Sequence, residues 1–362
     1  MVDKRLGFLL VFFSSLFLEA SSLEKQIGQM LMVGFHGTSA PHHSQICKDI
    51  KTYHLGAVIL FDYNPVNRKK PKNIASKAQL ARLTKQLQAC SYDGKLLIAL
   101  DQEGGKVQRL KRKYGFYGKF PKASDVAKMT QSQIKKTYTK MSQELKSVGI
   151  NYDLAPVVDL DINPRNHVIH GLGRSFGKNP KVVASYARTF INAMHSHGVL
   201  TSLKHFPGHG SSVGDTHKGF VDVSKVWKNT ELLPYQLLKN TADSIMVAHV
   251  FNKYIDSKYP ASLSYKTIGK LLRQDIGYEG VVITDDLQMG AISHKYGLKR
   301  TLALAISAGD DILLIGNQLD PRHIVKTSTL VAKIKSLVDA GVIKQSRIDA
   351  SFRRIQKLKA KL

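Results

Sequence analysis

The chain has 362 residues, 43% of them hydrophobic, which is enough for a large core and excludes an intrinsically disordered protein. Lys plus Arg number 54 against 27 Asp plus Glu, a net charge of +27 that favours anionic partners. The basic residues are spread out, with only short clusters such as Arg68-Lys69-Lys70 and Lys111-Arg112-Lys113. That pattern argues for a solvated basic surface and against a specific nucleic-acid site.

Residues 1–22 stand apart. Lys4 and Arg5 precede an apolar run from Leu6 to Leu18, and Ala20-Ser21-Ser22 follows. A charged start, a short apolar stretch and small residues at the end predict a secretory signal peptide and an exported protein, with an uncleaved membrane anchor as the alternative. Residues 23–362 then form the mature domain. Cys47 and Cys90 are the two cysteines, and spacing alone does not say whether they pair.

Short apolar runs alternate with helical patterns along the rest of the chain. Predicted strands are Met30–Phe35, Ala57–Phe61, Leu96–Leu100, Asn151–Val158, Leu200–Leu203, Ser244–Val250, Gly280–Thr284 and Ile312–Ile315. They are rich in Val, Ile and Leu with little alternation, as expected of strands buried on both faces. Helical patterns cover 73–90, 131–148, 180–197, 264–275, 299–308, 322–338 and about 345–360. Eight strands alternating with helices predict an α/β fold, a single (β/α)₈ TIM-type barrel. A doubly wound sheet is the alternative, but no glycine-rich dinucleotide fingerprint follows the first strand.

In such a barrel the reacting groups sit at the carboxyl ends of the strands. Those ends carry Asp101-Gln102-Glu103, Pro156 to Asp161, Lys204-His205, Ala248-His249 and Asp285-Asp286. The fifth runs into a loop dense in titratable side chains, Lys204 to His217, punctuated by Pro207, Gly208, Gly210 and Gly214. Its Asp215 and His217 are two apart and project to the same side of an extended segment. A carboxylate beside an imidazole orients a group that exchanges protons near neutral pH. Asp285 ends a buried strand and is a candidate nucleophile, while Asp286 points the other way and is a candidate cap for the next turn. Asp101 and Glu103 are candidates for binding substrate hydroxyls, or else for a local turn, and Arg174 for holding a hydroxyl or an anionic group, or else for a solvated surface. A metal site built on His205, His209, Asp215 and His217 is disfavoured, because the spacing fits no zinc motif.

Taken together, the motifs resemble glycoside hydrolase family 3, in its β-N-acetylglucosaminidase (NagZ-like) branch. The resemblance rests on the Lys204–His217 loop, Asp101-Gln102-Glu103-Gly104-Gly105, Gly173-Arg174-Ser175-Phe176-Gly177, Pro260-Ala261-Ser262-Leu263-Ser264 and Ile283-Thr284-Asp285-Asp286. It implies Asp285 as nucleophile, His217 as acid/base and Asp215 as its partner. It implies Asp101, Arg174, Lys204 and His205 as sugar-binding residues, with His249 near the sugar pocket. No metal or organic cofactor is implied. Lys106 and the stretch 166–172 depart from the family pattern, and the charge and leader differ from cytosolic recycling members.

The implied activity is retaining, exo-acting removal of terminal N-acetylglucosamine, with a peptidoglycan fragment as carbohydrate partner and an anionic cell wall as a surface for the basic protein. A phosphorylase or a β-glucosidase of the same family are the enzymatic rivals, and a catalytically silent wall-binding protein is the rival from another class.

Overall fold

The computed structural model describes residues 23–319 and 323–362. The signal sequence read at 1–22 lies outside the described residues. Eight parallel strands form one sheet: β1 (Leu31–Gly34), β2 (Ala57–Ile59), β3 (Leu97–Leu100), β4 (Tyr152–Asp153), β5 (Leu200–Phe206), β6 (Ser244–Val247), β7 (Val281–Thr284) and β8 (Leu313–Ile315). Each pairs with its neighbours in chain order, and β1 also pairs with β8 through Leu31–Leu313 and Met32–Leu314. A parallel bridge between Ile283 and Ile312 closes the sheet on itself. There Thr284 N donates to Ile312 O at 3.0 Å and Ile312 N to Val282 O at 3.0 Å. The result is the expected (β/α)₈ barrel.

A helix follows every strand: α1 (Gln45–Tyr53), α2 (Lys77–Cys90), α3 (Gln131–Ser147), α4 (Pro180–His195), α5 (Leu233–Leu238), α6 (Lys266–Asp275, wound as a π-helix), α7 (Leu298–Ala308) and α8 (Thr327–Asp339). A ninth, α9 (Gln345–Lys359), packs beyond the eighth unit. The strands are continuous apolar runs because both faces are covered: Leu97, Ile98, Ala99 and Leu100 have no exposed surface. Side-chain oxygens fix the helix starts. Ser76 and Thr130 form capping boxes with Gln79 and Gln133, and Asn179 caps α4 just before Pro180.

The sequence expectations missed α1 and α5. The first is nine residues long and turns only Ile46, Cys47 and Ile50 fully inward. The second has six residues and begins at Leu233-Pro234. Neither carries a long periodic pattern. The strand expected over 151–158 is shorter in the ladder, because Pro156 offers no N–H; Val157 then bridges to Lys204 in isolation.

Cys47 on α1 and Cys90 at the end of α2 form a disulfide, with Cα atoms 5.3 Å apart. It fastens α1 to α2. In the chain-entropy account, closing a loop with a sequence separation of 43 stabilises the fold by about 4 kcal/mol.

Candidate active site

The carboxyl ends of the strands open onto a cavity of about 340 Å³ lined by Asp101, Glu103, Arg109, Arg174, Lys204, His205, Asp215, His217, Asp285 and Asp286 among others. The polar residues in it fall into a floor and a tip.

The floor is an ion-pair network. β3 ends at Leu100, and Asp101 opens a short hairpin in which Gln102–Gly104 pairs with Val107–Gln108. Asp101 accepts from Arg109 Nη2 at 2.8 Å and from Lys204 Nζ at 2.9 Å. Lys204 Nζ also lies 2.7 Å from Glu103 Oε1. Arg174 grips the same Glu103 with both arms, Nε and Nη2 each at 2.7 Å. Burial alone would raise both acids. The Lys204 and Arg109 charges hold Asp101 well below the usual carboxylate range, and Arg174 with Lys204 brings Glu103 down to about 2. Beneath them, burial pushes Asp153 up to about 8, so it carries a proton at neutral pH while its Oδ1 accepts from Gln102 N.

His205 stands beside this network. Arg174 Nη2 lies 3.3 Å from its Nε2, and a guanidinium can only donate. His205 Nε2 is therefore the acceptor, and Nδ1–H donates to Asp159 Oδ2 at 2.6 Å. Glu103 joins Asp101 here, as the sequence expected of the two carboxylates. Arg109 and Asp159, which hold Asp101 and His205, were not singled out; the signal for Asp159 was weak, since it only ends an apolar run.

The tip carries the Asp215–His217 pair. Asp215 Oδ1 accepts from His217 N at 3.0 Å and from its Nδ1 at 2.8 Å, so Nε2 is the ring nitrogen outside the pair. Burial opposes ionisation of Asp215, but these donors bring its carboxyl below the ordinary value. The pair is more open than the floor, with 53% of the His217 side chain exposed. It is nonetheless docked. Gly290 N donates to His217 O and Ala291 N to Thr216 O, both at 3.2 Å, so the tip rests on the turn that follows Asp285.

Asp285 directly follows β7, its N–H bonded to Val247 O at 3.0 Å. Burial works against its charge, but His249, His205 and His217 hold the carboxyl below the usual range. It presents an ionised carboxylate to the cavity. Asp286 takes the other job expected of the pair: its Oδ1 accepts from Gln288 N at 3.0 Å and Gly316 N at 3.2 Å. Behind it, Lys72 Nζ donates to Gly316 O and Asn317 O.

His249 departs from the expected sugar contact. It is fully buried, with Nδ1 2.7 Å from Ser262 Oγ and Nε2 2.9 Å from Asp286 O. Both nitrogens are engaged, and its position supports the Asp285–Asp286 backbone from behind. His209 is likewise buried and held by Ser212 Oγ at 2.7 Å, and burial pushes its imidazole down to about 4, where it stays neutral. The loop histidines thus serve different partners and do not converge on one point.

Residues 22–358 match the family model described as the glycosyl hydrolase family 3 N-terminal domain. The chain belongs to glycosyl hydrolase family 3. It is 33% identical over 337 residues to a Pseudoalteromonas piscicida protein named beta-hexosaminidase A, a match covering 86% of this chain and 54% of that one. Among solved structures it resembles a family 3 β-N-acetylglucosaminidase from a Paenibacillus species, with TM-score 0.83 and 32% identity, covering 93% of this chain and 62% of the other. A β-N-acetylhexosaminidase from Beutenbergia cavernae gives TM-score 0.81 at 30% identity, covering 93% and 98%. The chain therefore spans about half to two thirds of two of these relatives and nearly all of the third.

Proposed function

We propose that the protein is a retaining, exo-acting β-N-acetylglucosaminidase. The observation that carries this reading is the meeting of three groups in one cavity: the ionised Asp285, the Asp215–His217 pair, and the floor of Asp101, Arg174, Lys204 and His205. The names of the relatives support the same reaction class.

The floor offers carboxylate acceptors and cationic donors for the hydroxyls of one terminal sugar. Asp285 attacks the anomeric carbon while His217, oriented by Asp215, gives its Nε2 proton to the departing glycosidic oxygen. The carbon–oxygen bond to the aglycone breaks as the bond to Asp285 forms. His217, now neutral, takes a proton from water, and the resulting attack releases the sugar with its original anomeric configuration. Two inversions give net retention. An imidazole here replaces the second carboxyl group of the usual retaining pair.

We further infer a substrate drawn from peptidoglycan fragments and a location outside the cytoplasm. The leader sequence, the Cys47–Cys90 disulfide and the net charge of +27 support both. A basic surface attracts the lactyl and peptide carboxylates of the wall.

The test is to follow an aryl N-acetylglucosaminide and an aryl glucoside by proton NMR, with and without phosphate. The expected first product is β-N-acetylglucosamine, formed faster than glucose. An α-anomer first product would remove the retaining mechanism. A sugar-1-phosphate product would make the protein a phosphorylase, and a faster glucoside would make it a glucosidase. Salt-insensitive binding to isolated cell wall would remove the electrostatic association.

A further inference from the structure

The root of the catalytic loop is held in an unusual way. Three successive amides, those of His209, Gly210 and Ser211, are taken up by two buried carboxylates. His209 N donates to Asp159 Oδ1 at 2.8 Å. Gly210 N and Ser211 N donate to Glu231 Oε2 at 3.1 and 3.3 Å. The carbonyls of the same segment are gripped by two asparagines. Asn166 Nδ2 donates to His209 O and Gly210 O, and Asn163 Nδ2 to Ser211 O and Ser212 O. Residues 209–212 are thus fixed from both sides, and only Val213 and Gly214 separate them from Asp215.

Glu231 lies in the short turn before α5 and is 1% exposed. It packs directly under the loop: a Cβ placed on Gly208, whose φ is +122°, would stand 2.6 Å from the Glu231 Cβ. Its other oxygen accepts from Lys228 N at 3.4 Å. No Lys, Arg or His forms an ion pair with it among the described residues. The groups facing it are the Asp159 carboxylate, the Ser211 and Lys228 donors and the buried Tyr235 ring. This is a costly place for a charge, and burial pushes the carboxyl up to about 7. Every recorded contact to its oxygens nevertheless donates, so the bare carboxylate is the form that the loop is built around.

We propose that Glu231 is a positioning residue for proton transfer, anchoring the loop root so that His217 reaches the glycosidic oxygen. The inference rests on His217 being the acid/base. Glu231 touches neither sugar nor aglycone; it acts through the Gly210 and Ser211 amides.

Glu231→Gln keeps the volume but sets an NH₂ group against backbone donors, which loosens the root. The readout is kcat/KM for two substrates that differ in their need for a proton: chitobiose, and an aryl N-acetylglucosaminide with a dinitrophenolate leaving group. We expect a loss of about 10-fold or more on chitobiose and little change on the aryl glycoside. Inhibition by free N-acetylglucosamine should be unchanged, because the floor is intact, and Glu231→Asp should restore part of the loss. A loss equal on both substrates, or no loss on either, would overturn the proposal, since a merely structural role is blind to the leaving group. His217→Ala measured alongside separates the two levels of inference. If it lacks the leaving-group dependence, the acid/base assignment falls and takes the proposal with it; if it shows the dependence and Glu231→Gln does not, only the role of Glu231 falls.

Discussion

The floor and the tip of the cavity solve opposite problems with the same residue types. On the floor, Lys204 is buried, Asp101, Glu103 and Arg174 are partly buried, and all four are over-connected, each charge answered by at least one opposite charge within 2.9 Å. At the tip, Asp215 and His217 form a single exposed pair whose backbone rests on Gly290 and Ala291. A binding surface gains from groups already fixed in the shape the ligand needs, because no ordering cost falls due on association. A proton donor must exchange with solvent in each turnover, and exposure serves that. The boundary between the regimes runs through one loop, between Ser212 and Asp215.

Substitutions can break this contrast. The largest effect is expected from Asp285→Ala, which leaves both regions in place and removes the group they serve; kcat on an aryl N-acetylglucosaminide should fall by about 10⁴-fold or more. Residual activity near wild type would displace the nucleophile assignment. Next comes His217→Ala, with a loss of roughly 10²–10⁴ on substrates whose leaving group needs a proton. KM for the sugar should hardly move, because the floor is untouched; a large KM change would mean that tip and floor are not separable. Arg174→Lys probes the other side. It keeps the charge but loses the two-armed grip on Glu103, and kcat/KM should fall by roughly 10–100-fold, chiefly through KM. Equal kinetics for the lysine variant would show that a point charge suffices there.

The smallest effect concerns pH. Glu103 is depressed in the fold, to about 2 from an ordinary 4.5. A depressed carboxyl stabilises the fold above its unfolded value, and that contribution is lost as pH falls through the folded one. Thermal unfolding between pH 5 and 2 should therefore show the wild type losing up to ~3 kcal/mol more stability than Glu103→Gln. Parallel losses would mean that the network holds shape without holding charge.

How much of this was legible in the sequence follows the same division. The barrel was readable because strands covered on both faces leave unbroken apolar runs, such as Val281 to Ile283, and because long helices carry their own caps. The short α1 and α5 left too little pattern. In the site, residues at strand ends announced themselves: Asp101, Lys204, His205 and Asp285 stand where apolar runs stop. The Asp215–His217 pair was legible in its two-residue spacing and His249 in its place at a strand end, whereas Arg174 needed the motif resemblance; burial sets His249 behind the Asp285–Asp286 backbone. Asp159 and Glu231 were missed for a shared physical reason. Their meaning lies in partners distant along the chain, His205 at 46 residues and Gly210 at 21, and no local spacing encodes such a meeting.

The closure of the barrel has a consequence for when the enzyme becomes competent. Asp285 follows the strand at the seam, and β8 supplies its last neighbours: Leu287 N donates to Leu314 O at 3.0 Å, and Gly316 N to Asp286 Oδ1 at 3.2 Å. A nascent chain that has emerged as far as β7 holds Asp285, the nucleophile proposed above, at an open edge, without the scaffold that aims it. On that proposal the final strand is a completion signal, and an unfinished polypeptide is expected to be silent.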